Sequence, residues 1–474
     1  MSMASKAGKT RSPSPHARQA RRAAKREQVG AEQRARLALA MIDAVAEKGY
    51  RTTTVADLVS RAGLSRKTFY QHFANKQECF LATYDQISAR GIRRVQTAYA
   101  EADGSPGRVQ AAIRSLFEAA VDNPGAVRLM LVEINALGAA GVERRERSNA
   151  YYERFIRDAL ELAPGRGTFS DPVLRAVIGG INRVLYRRVL RGERAKLLAL
   201  VPDLADWVTS YYPTPARILA EPPPRKSAAG RVGALPEGGR APGTLAPHTG
   251  PSGRRGLPGG EQNVSRSFVV HSQRERILDA VANLTAANGY TDLKVEDIAE
   301  EAAVSLNAFY EHFADKEDAF LVAYEVGHGK ALAATERAYT AAGDWQLGVR
   351  AGITALLQFL AAEPSFAHIA LVDAVVATDL TAERSNAGLD SLARMLVPGL
   401  EEAPNQSPRA PVTIEAIAGG IFDLCLQYAL HDRIAELPEL TVSASYIALT
   451  PFLGSKEAAR VAAGGGRRSR ARAP

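Results

Sequence analysis

The chain is poor in the residues from which cross-linked and reactive sites are built. Its 474 residues include only two cysteines, Cys79 and Cys425, at unrelated places. That excludes a disulfide framework and a cysteine-based metal site. The eight histidines are scattered without metal-ligand spacing, and neither a Gly-rich phosphate loop nor a nucleophile elbow occurs. These absences point away from an enzyme, and no cofactor and no metal is expected. No apolar run approaches the roughly 20 residues of a membrane span, so no membrane partner is expected. Residues 1–28 are basic without an apolar h-region and do not form a secretory signal. No stretch alternates apolar and polar residues over a strand's length. The predicted fold class is all-α.

What is present is a repeat. Phe69-Tyr70-Gln71-His72-Phe73-Ala74-Asn75-Lys76 returns 240 residues later as Phe309-Tyr310-Glu311-His312-Phe313-Ala314-Asp315-Lys316. The same offset pairs Gly49-Tyr50 with Gly289-Tyr290, Ser65 with Ser305, Phe80 with Phe320 and Gly179-Gly180 with Gly419-Gly420. Solenoid repeats run at roughly 20–50 residues; a period this long means two whole copies of one fold.

The net charge of +9 is unevenly shared. Residues 1–36 carry ten basic and two acidic side chains, net +8, and the first copy (37–212) carries 25 and 19, net +6. The second copy (264–454) carries 12 and 26, net −14. Between them, residues 213–263 hold ten prolines and ten glycines, a composition that reads as a flexible linker. The expected organisation is a basic disordered arm (1–33), a short N-terminal domain (34–84), a larger helical domain (85–212), the linker (213–263), a second domain like the first (264–324), a second larger helical domain (325–454) and a basic tail (455–474).

Within each copy the periodicity is helical. Leu37, Met41, Ala44 and Val45 form one face, with Gly49 as a C-cap. Val55, Leu58, Val59 and Ala62 mark a short helix; after the turn Ala62-Gly63-Leu64-Ser65, a third helix follows that Ser65 can N-cap. Two short helices joined this way are a helix-turn-helix, whose second helix reads the major groove. The pattern Thr53-Thr54-Val55…Leu58…Ala62-Gly63-Leu64-Ser65…Thr68-Phe69-Tyr70…His72-Phe73…Lys76 resembles the DNA-binding domain of the TetR/AcrR family of bacterial repressors. Two such copies resemble a tandem form of the repressor.

That resemblance implies duplex DNA as a partner and a ligand-responsive repressor in the bacterial cytoplasm, at the nucleoid. Thr53 or Thr54 would offer a hydroxyl and backbone N–H groups to a phosphate. Arg66, Lys67 and Thr68 would reach base edges or phosphates, Arg66 with the geometry for guanine. Tyr70 and Lys76 resemble the family's backbone-contacting tyrosine and lysine, although Lys67 stands where many members carry glycine. His72 is open to a phosphate contact or a packed role. Arg18, Arg21, Arg22, Lys25 and Arg26 share a helical spacing suited to phosphates or the minor groove, and a solvated arm is the alternative.

The second copy keeps the scaffold and loses the contacts. Thr53-Thr54 becomes Leu293-Lys294, Arg66-Lys67-Thr68 becomes Leu306-Asn307-Ala308, and Gly63 becomes Ala303. Residues 51–78 carry five basic and two acidic side chains, net +3; residues 291–318 carry two and nine, net −7. DNA affinity rests largely on phosphate neutralisation, so the second helix-turn-helix is expected not to bind. Lys294, Tyr310 and Lys316 are left as weak contacts. Two arrangements follow: an intrachain pseudo-dimer with an asymmetric half-site, or a homodimer on a palindrome. The family also implies a small-molecule inducer of unknown identity; Phe117, Met130, Tyr151, Phe155, Phe359, Phe366 and Phe422 are candidates to line its pocket or simply to pack. The alternative function is a ligand-sensing or protein-interaction module that keeps the fold without binding DNA.

Overall fold

The computed structural model describes residues 15–161, 170–211, 266–402 and 411–465, and these residues contain helices and turns but no strand. They form two compact units. One takes the chain up to Asp103, then Gln110–Arg154 and Leu185–Val201; the other takes Gly104–Val109, Phe155–Val184 and the chain from Pro202 onward. The linker at 213–263 and the arginines of 467–472 lie outside the described residues.

In the first copy α1 (Pro15–Thr52) leads into α2 (Val55–Ala62), α3 (Arg66–His72), α4 (Lys76–Glu101), α5 (Gly104–Asp122) and α6 (Pro124–Leu131). A 3-10 turn at Glu133–Leu137, then α7 (Gly138–Glu161), α8 (Asp171–Leu190) and α9 (Val201–Thr209) complete it. The helical path of α1 breaks at Gly49, whose φ of 77° favours glycine. Thr54 and Asp57 close a capping box on α2, and Ser65 and Asn75 cap α3 and α4 through the N–H groups of Thr68 and Glu78. Leu37, Met41, Val45, Leu58, Phe69 and Phe80 are fully buried in one core with Leu129 and Ile134, as the helical faces predict.

The second copy repeats this order: α10 (Arg266–Asn288), α11 (Val295–Glu301), α12 (Leu306–His312), α13 (Lys316–Ala341), α14 (Trp345–Ala362) and α15 (Pro364–His368). A π-helical turn at Ile369–Asp373 runs into α16 (Ala374–Val376), and α17 (Asp379–Ala393), α18 (Gly399–Glu402), α19 (Pro411–Leu430), α20 (Thr441–Leu453) and α21 (Ser455–Ala462) follow.

In the second unit α8 crosses α19 backbone to backbone. A Cβ on Gly180 would fall 2.3 Å from the Ala416 carbonyl oxygen, and one on Gly420 2.4 Å from that of Ala176. The paired glycines in each copy are therefore a close-approach site. Alongside, the buried Trp207 Nε1 donates to Tyr211 Oη, which donates to the Ile447 carbonyl, each at 3.0 Å.

Three expectations change. α1 begins at Pro15, so the described part of the arm is helical; its run of Ala, Arg, Lys, Glu and Gln has high helix propensity. Residues 455–465 are not a tail: α21 buries Ala458, Val461 and Ala462, and Arg350 Nε donates to the Ala462 carbonyl. Third, α19 is by length and composition apolar enough to cross a membrane, although two thirds of it (67%) is buried inside the protein.

Ala303 sits where Gly63 turns the first copy, at φ 50° against 60°. An L-residue there costs about 1 kcal/mol. Ala303→Gly should therefore raise the urea midpoint of the second unit's transition, and Gly63→Ala should lower that of the first.

Candidate nucleic-acid interface

The capped start of α3 holds Arg66 and Lys67 exposed and Thr68 half-buried, with Ser65 accepting from the Thr68 N–H at 3.0 Å. Tyr70 follows on the same short helix, 58% exposed, its ring edge against the buried Phe69 at 5.3 Å. Thr54 is exposed at the start of α2, its hydroxyl donating to Asp57 at 2.6 Å. Asp57 is the one acid inside this cluster, and Lys48, 2.7 Å away, together with Thr54 holds its carboxyl well below the usual range. Arg22, Lys25 and Arg26 are exposed one turn apart on α1, and Arg18 and Arg21 lie on the same helix.

Other predicted contacts are turned inward. Thr53 is 1% exposed and donates to the Gly49 carbonyl at 2.7 Å, so it closes the break in α1. Its replacement by the buried Leu293 is thus a core substitution. His72 Nε2 lies 2.8 Å from Gln33 Oε1 on α1, the packed role of the two left open, and burial with the nearby Arg34 charge lowers its pKa. Lys76 donates to the Tyr50 and Arg51 carbonyls at 2.8 and 3.3 Å and sits 4.2 Å over the Tyr50 ring. Burial pulls its pKa below the usual lysine value.

The second copy reproduces the shape with different chemistry. Tyr310 is 57% exposed against Phe309, as Tyr70 is against Phe69. Lys294 is exposed at the start of α11, and Leu306 stands exposed where Arg66 stands in the first copy. Lys316 donates to the carbonyls of Leu293, Thr291 and Tyr290 at 2.9, 3.3 and 3.4 Å, 4.8 Å from the Tyr290 ring. A lysine kept in an acidic domain is explained by this carbonyl contact without DNA.

A further pair escaped the sequence reading. The buried Glu133 accepts the Tyr50 N–H at 2.9 Å and pairs with Arg128 Nε at 3.0 Å. In the second copy Asp373 accepts the Tyr290 N–H at 3.1 Å and meets His368 Nδ1 at 2.8 Å. Both pairs keep the offset of 240, a signal available in the sequence: an acid five residues after a basic side chain in each copy.

Removing a charged donor from carbonyls that end a helix costs about 1–3 kcal/mol. Lys316→Met should lower the unfolding free energy by that amount while leaving DNA retention unchanged, measured side by side on one preparation.

Comparisons with known proteins agree with this geometry. The family described as bacterial regulatory proteins, tetR family, matches at residues 42–83 and again at 277–323. The HTH-type transcriptional activator FasR of Mycolicibacterium smegmatis is 28% identical over 87 residues, 18% of this chain and 40% of FasR, so the chain spans less than half of that relative. An uncharacterised HTH-type transcriptional regulator of Mycobacterium tuberculosis is 24% identical over 150 residues, 32% of this chain and 77% of that one. Among solved structures, the fatty acid degradation regulator FadR from Bacillus halodurans aligns at 16% identity and TM-score 0.35, covering 37% of this chain and 94% of its own. With the family's N-terminal model matched twice and the same helix-turn-helix built twice, the chain carries two helix-turn-helix domains of the tetR type.

Proposed function

We propose that the chain is a sequence-specific DNA-binding transcriptional regulator, a ligand-responsive repressor that reads DNA through α3, with the second copy as its intrachain dimerisation partner. It would act in the cytoplasm and carry out no chemistry of its own. The observation that carries this reading is the contrast between two superimposable scaffolds. One exposes Thr54, Arg66, Lys67 and Tyr70 on a domain of net +3; the other exposes Leu306 and Tyr310 on a domain of net −7. Phosphate neutralisation supplies most of non-specific DNA affinity and steers the approach, so only the first domain suits a duplex. Arg66 and Lys67 stand at the groove-facing end of the reading helix, Tyr70 and Thr54 are placed for phosphates, and the exposed basic face of α1 extends the track. Lys76 acts behind them, fixing the break from which α2 and α3 set out.

The intrachain pairing is supported by the crossing of α8 and α19. The equivalent positions 183 and 423 carry opposite charge, and each packs on the other copy's glycine: a Cβ on Gly419 would lie 2.5 Å from that of Arg183, and one on Gly179 2.4 Å from that of Asp423. A homodimer built on the same surface would place two arginines, or two aspartates, at those positions, which disfavours it.

Selection of bound genomic fragments at several salt concentrations tests the reading. A single non-palindromic motif is expected, with affinity reduced at least tenfold by Tyr70→Ala and unchanged by Tyr310→Ala. Native mass measurement should give one chain per particle. A palindromic motif together with a dimer stable at nanomolar concentration would sink the intrachain pairing, and the absence of any salt-resistant motif would favour the module that does not bind DNA.

A further inference from the structure

We propose that the two copies divide the labour: the second receives the ligand, an uncharged and largely apolar molecule with one hydrogen-bonding group, and α19 relays its presence to α8 of the first. The proposal rests on the ligand-responsive reading above and specifies where and by what the chain is regulated.

The second copy encloses a cavity of about 100 Å³ among α13, α14, α17 and α19. Ile353, Leu357, Leu360, Leu389, Leu392 and Phe422 supply its apolar wall, and no Asp, Glu, Lys or Arg lines it. An ionised ligand would meet no charged side chain on that wall, the Arg183 and Arg394 charges reaching only its polar end at Tyr324 and His328, and its burial would be costly. The polar groups gather at one place. The His328 ring stacks on Tyr324 at 5.9 Å and 5°, with Ser385 and Gly388 beside them. A Cβ on Gly388 would fall 2.4 Å from Tyr324 Oη and 3.1 Å from His328 Cε1, so glycine keeps that end open. Burial and the Arg394 charge hold the His328 pKa below its usual value, which leaves the imidazole neutral at pH 7.

The first copy fills the same places with polar groups. Ser148 stands for Gly388, Tyr152 for Leu392, Arg145 for Ser385 and Ser88 for His328. The buried Ser88 and Ser148 hydroxyls lie 2.8 Å apart, and Arg145 Nη1 donates to Asn135 Oδ1 at 3.3 Å. A Cβ on Gly91, the counterpart of Ala331, would already meet Tyr152 Oη at 3.0 Å. An apolar molecule placed there would break hydrogen bonds without replacing them.

The two faces of α19 join the cavity to the first copy. Ala418, Ile421, Phe422 and Cys425 line the cavity at helical spacing, while Gly419 and Gly420, between them, press on α8. Phe422 belongs to both surfaces, since the Arg183 guanidinium of α8 lies 4.7 Å over its ring. With glycine against backbone there is no side chain to absorb a displacement, so a shift of α19 passes to α8.

The test uses the full chain and two fluorophores of one scaffold, uncharged N-phenyl-1-naphthylamine and its sulfonated relative 8-anilino-1-naphthalenesulfonate. One uncharged probe should bind per chain, at least tenfold tighter than the sulfonate, and Leu392→Tyr, which installs the first copy's residue, should weaken it at least tenfold. Trp345, whose Nε1 donates to the carbonyl of the cavity residue Met395 at 2.9 Å, gives a second reading if that variant misfolds. Energy transfer to the probe should fall in Trp345→Phe. The probe should shift affinity for the selected DNA at least fivefold, and Arg183→Ala, measured at saturating probe, should show less than a twofold shift. Two probes per chain, equal binding of the sulfonate, or transfer indifferent to Trp345 would overturn the site. An unshifted DNA affinity in the wild type would overturn the relay. Failure to retain DNA without probe counts instead against the DNA-reading function and the relay with it, while the fluorescence still decides the site.

Discussion

Everything in the reading domain hangs from one residue held at every polar group of its backbone. Tyr50 follows the break at Gly49; its N–H is taken by the buried Glu133, its carbonyl by Lys76, and its ring lies between Lys76 and the edge of Phe80 at 4.9 Å. Glycine supplies the turn, but a turn alone leaves the next helix free to swing. The charge-assisted bonds from both sides fix its direction. Tyr290 is held the same way by Asp373, Lys316 and Phe320. That the second copy keeps this clasp while shedding its exposed cations shows how differently the two sets of residues are constrained: one set makes the fold, the other makes a surface.

Much of this was legible in the residues themselves. The face through Leu37, Met41 and Val45, the caps Ser65 and Asn75 and the left-handed turn at Gly63 are local patterns, and each stands where periodicity and capping rules put it. The exposure of Thr54, Arg66, Lys67 and Tyr70 fits their polar side chains as well. Not visible in the residues was which backbone group a side chain takes. Thr53 reads as a helix-start hydroxyl until the carbonyl of Gly49 claims it, and Lys76 reads as a phosphate ligand until Tyr50 does. Glu133 and Asp373 bind across 83 residues, beyond the reach of any helical period. The cavity was less legible still. Of the aromatic candidates, Phe366 and Phe422 line it, whereas Phe117 is core and Tyr151 is exposed. Its shape comes from Gly388 and a set of leucines indistinguishable in sequence from ordinary packing.

The α8–α19 crossing explains why composition looked so lopsided. Net charge differs between copies by twenty, yet their helices follow one plan, because the charges lie largely on surfaces and the plan is set by buried contacts. Solvent-facing positions were free to diverge once the glycines and the clasp were kept.

An interface between identical chains obeys a restriction that this chain escapes. Across a two-fold axis every substitution is made twice and must be compatible with its own image, so a charge cannot meet its opposite at equivalent positions. Here Arg183 and Asp423 occupy equivalent positions with different side chains, each against the other copy's glycine. One gene then encodes a partner that no free copy can replace symmetrically. Under the intrachain pairing proposed above, the ratio of the two halves is fixed at synthesis, and their association is first order, independent of how few molecules the cell makes.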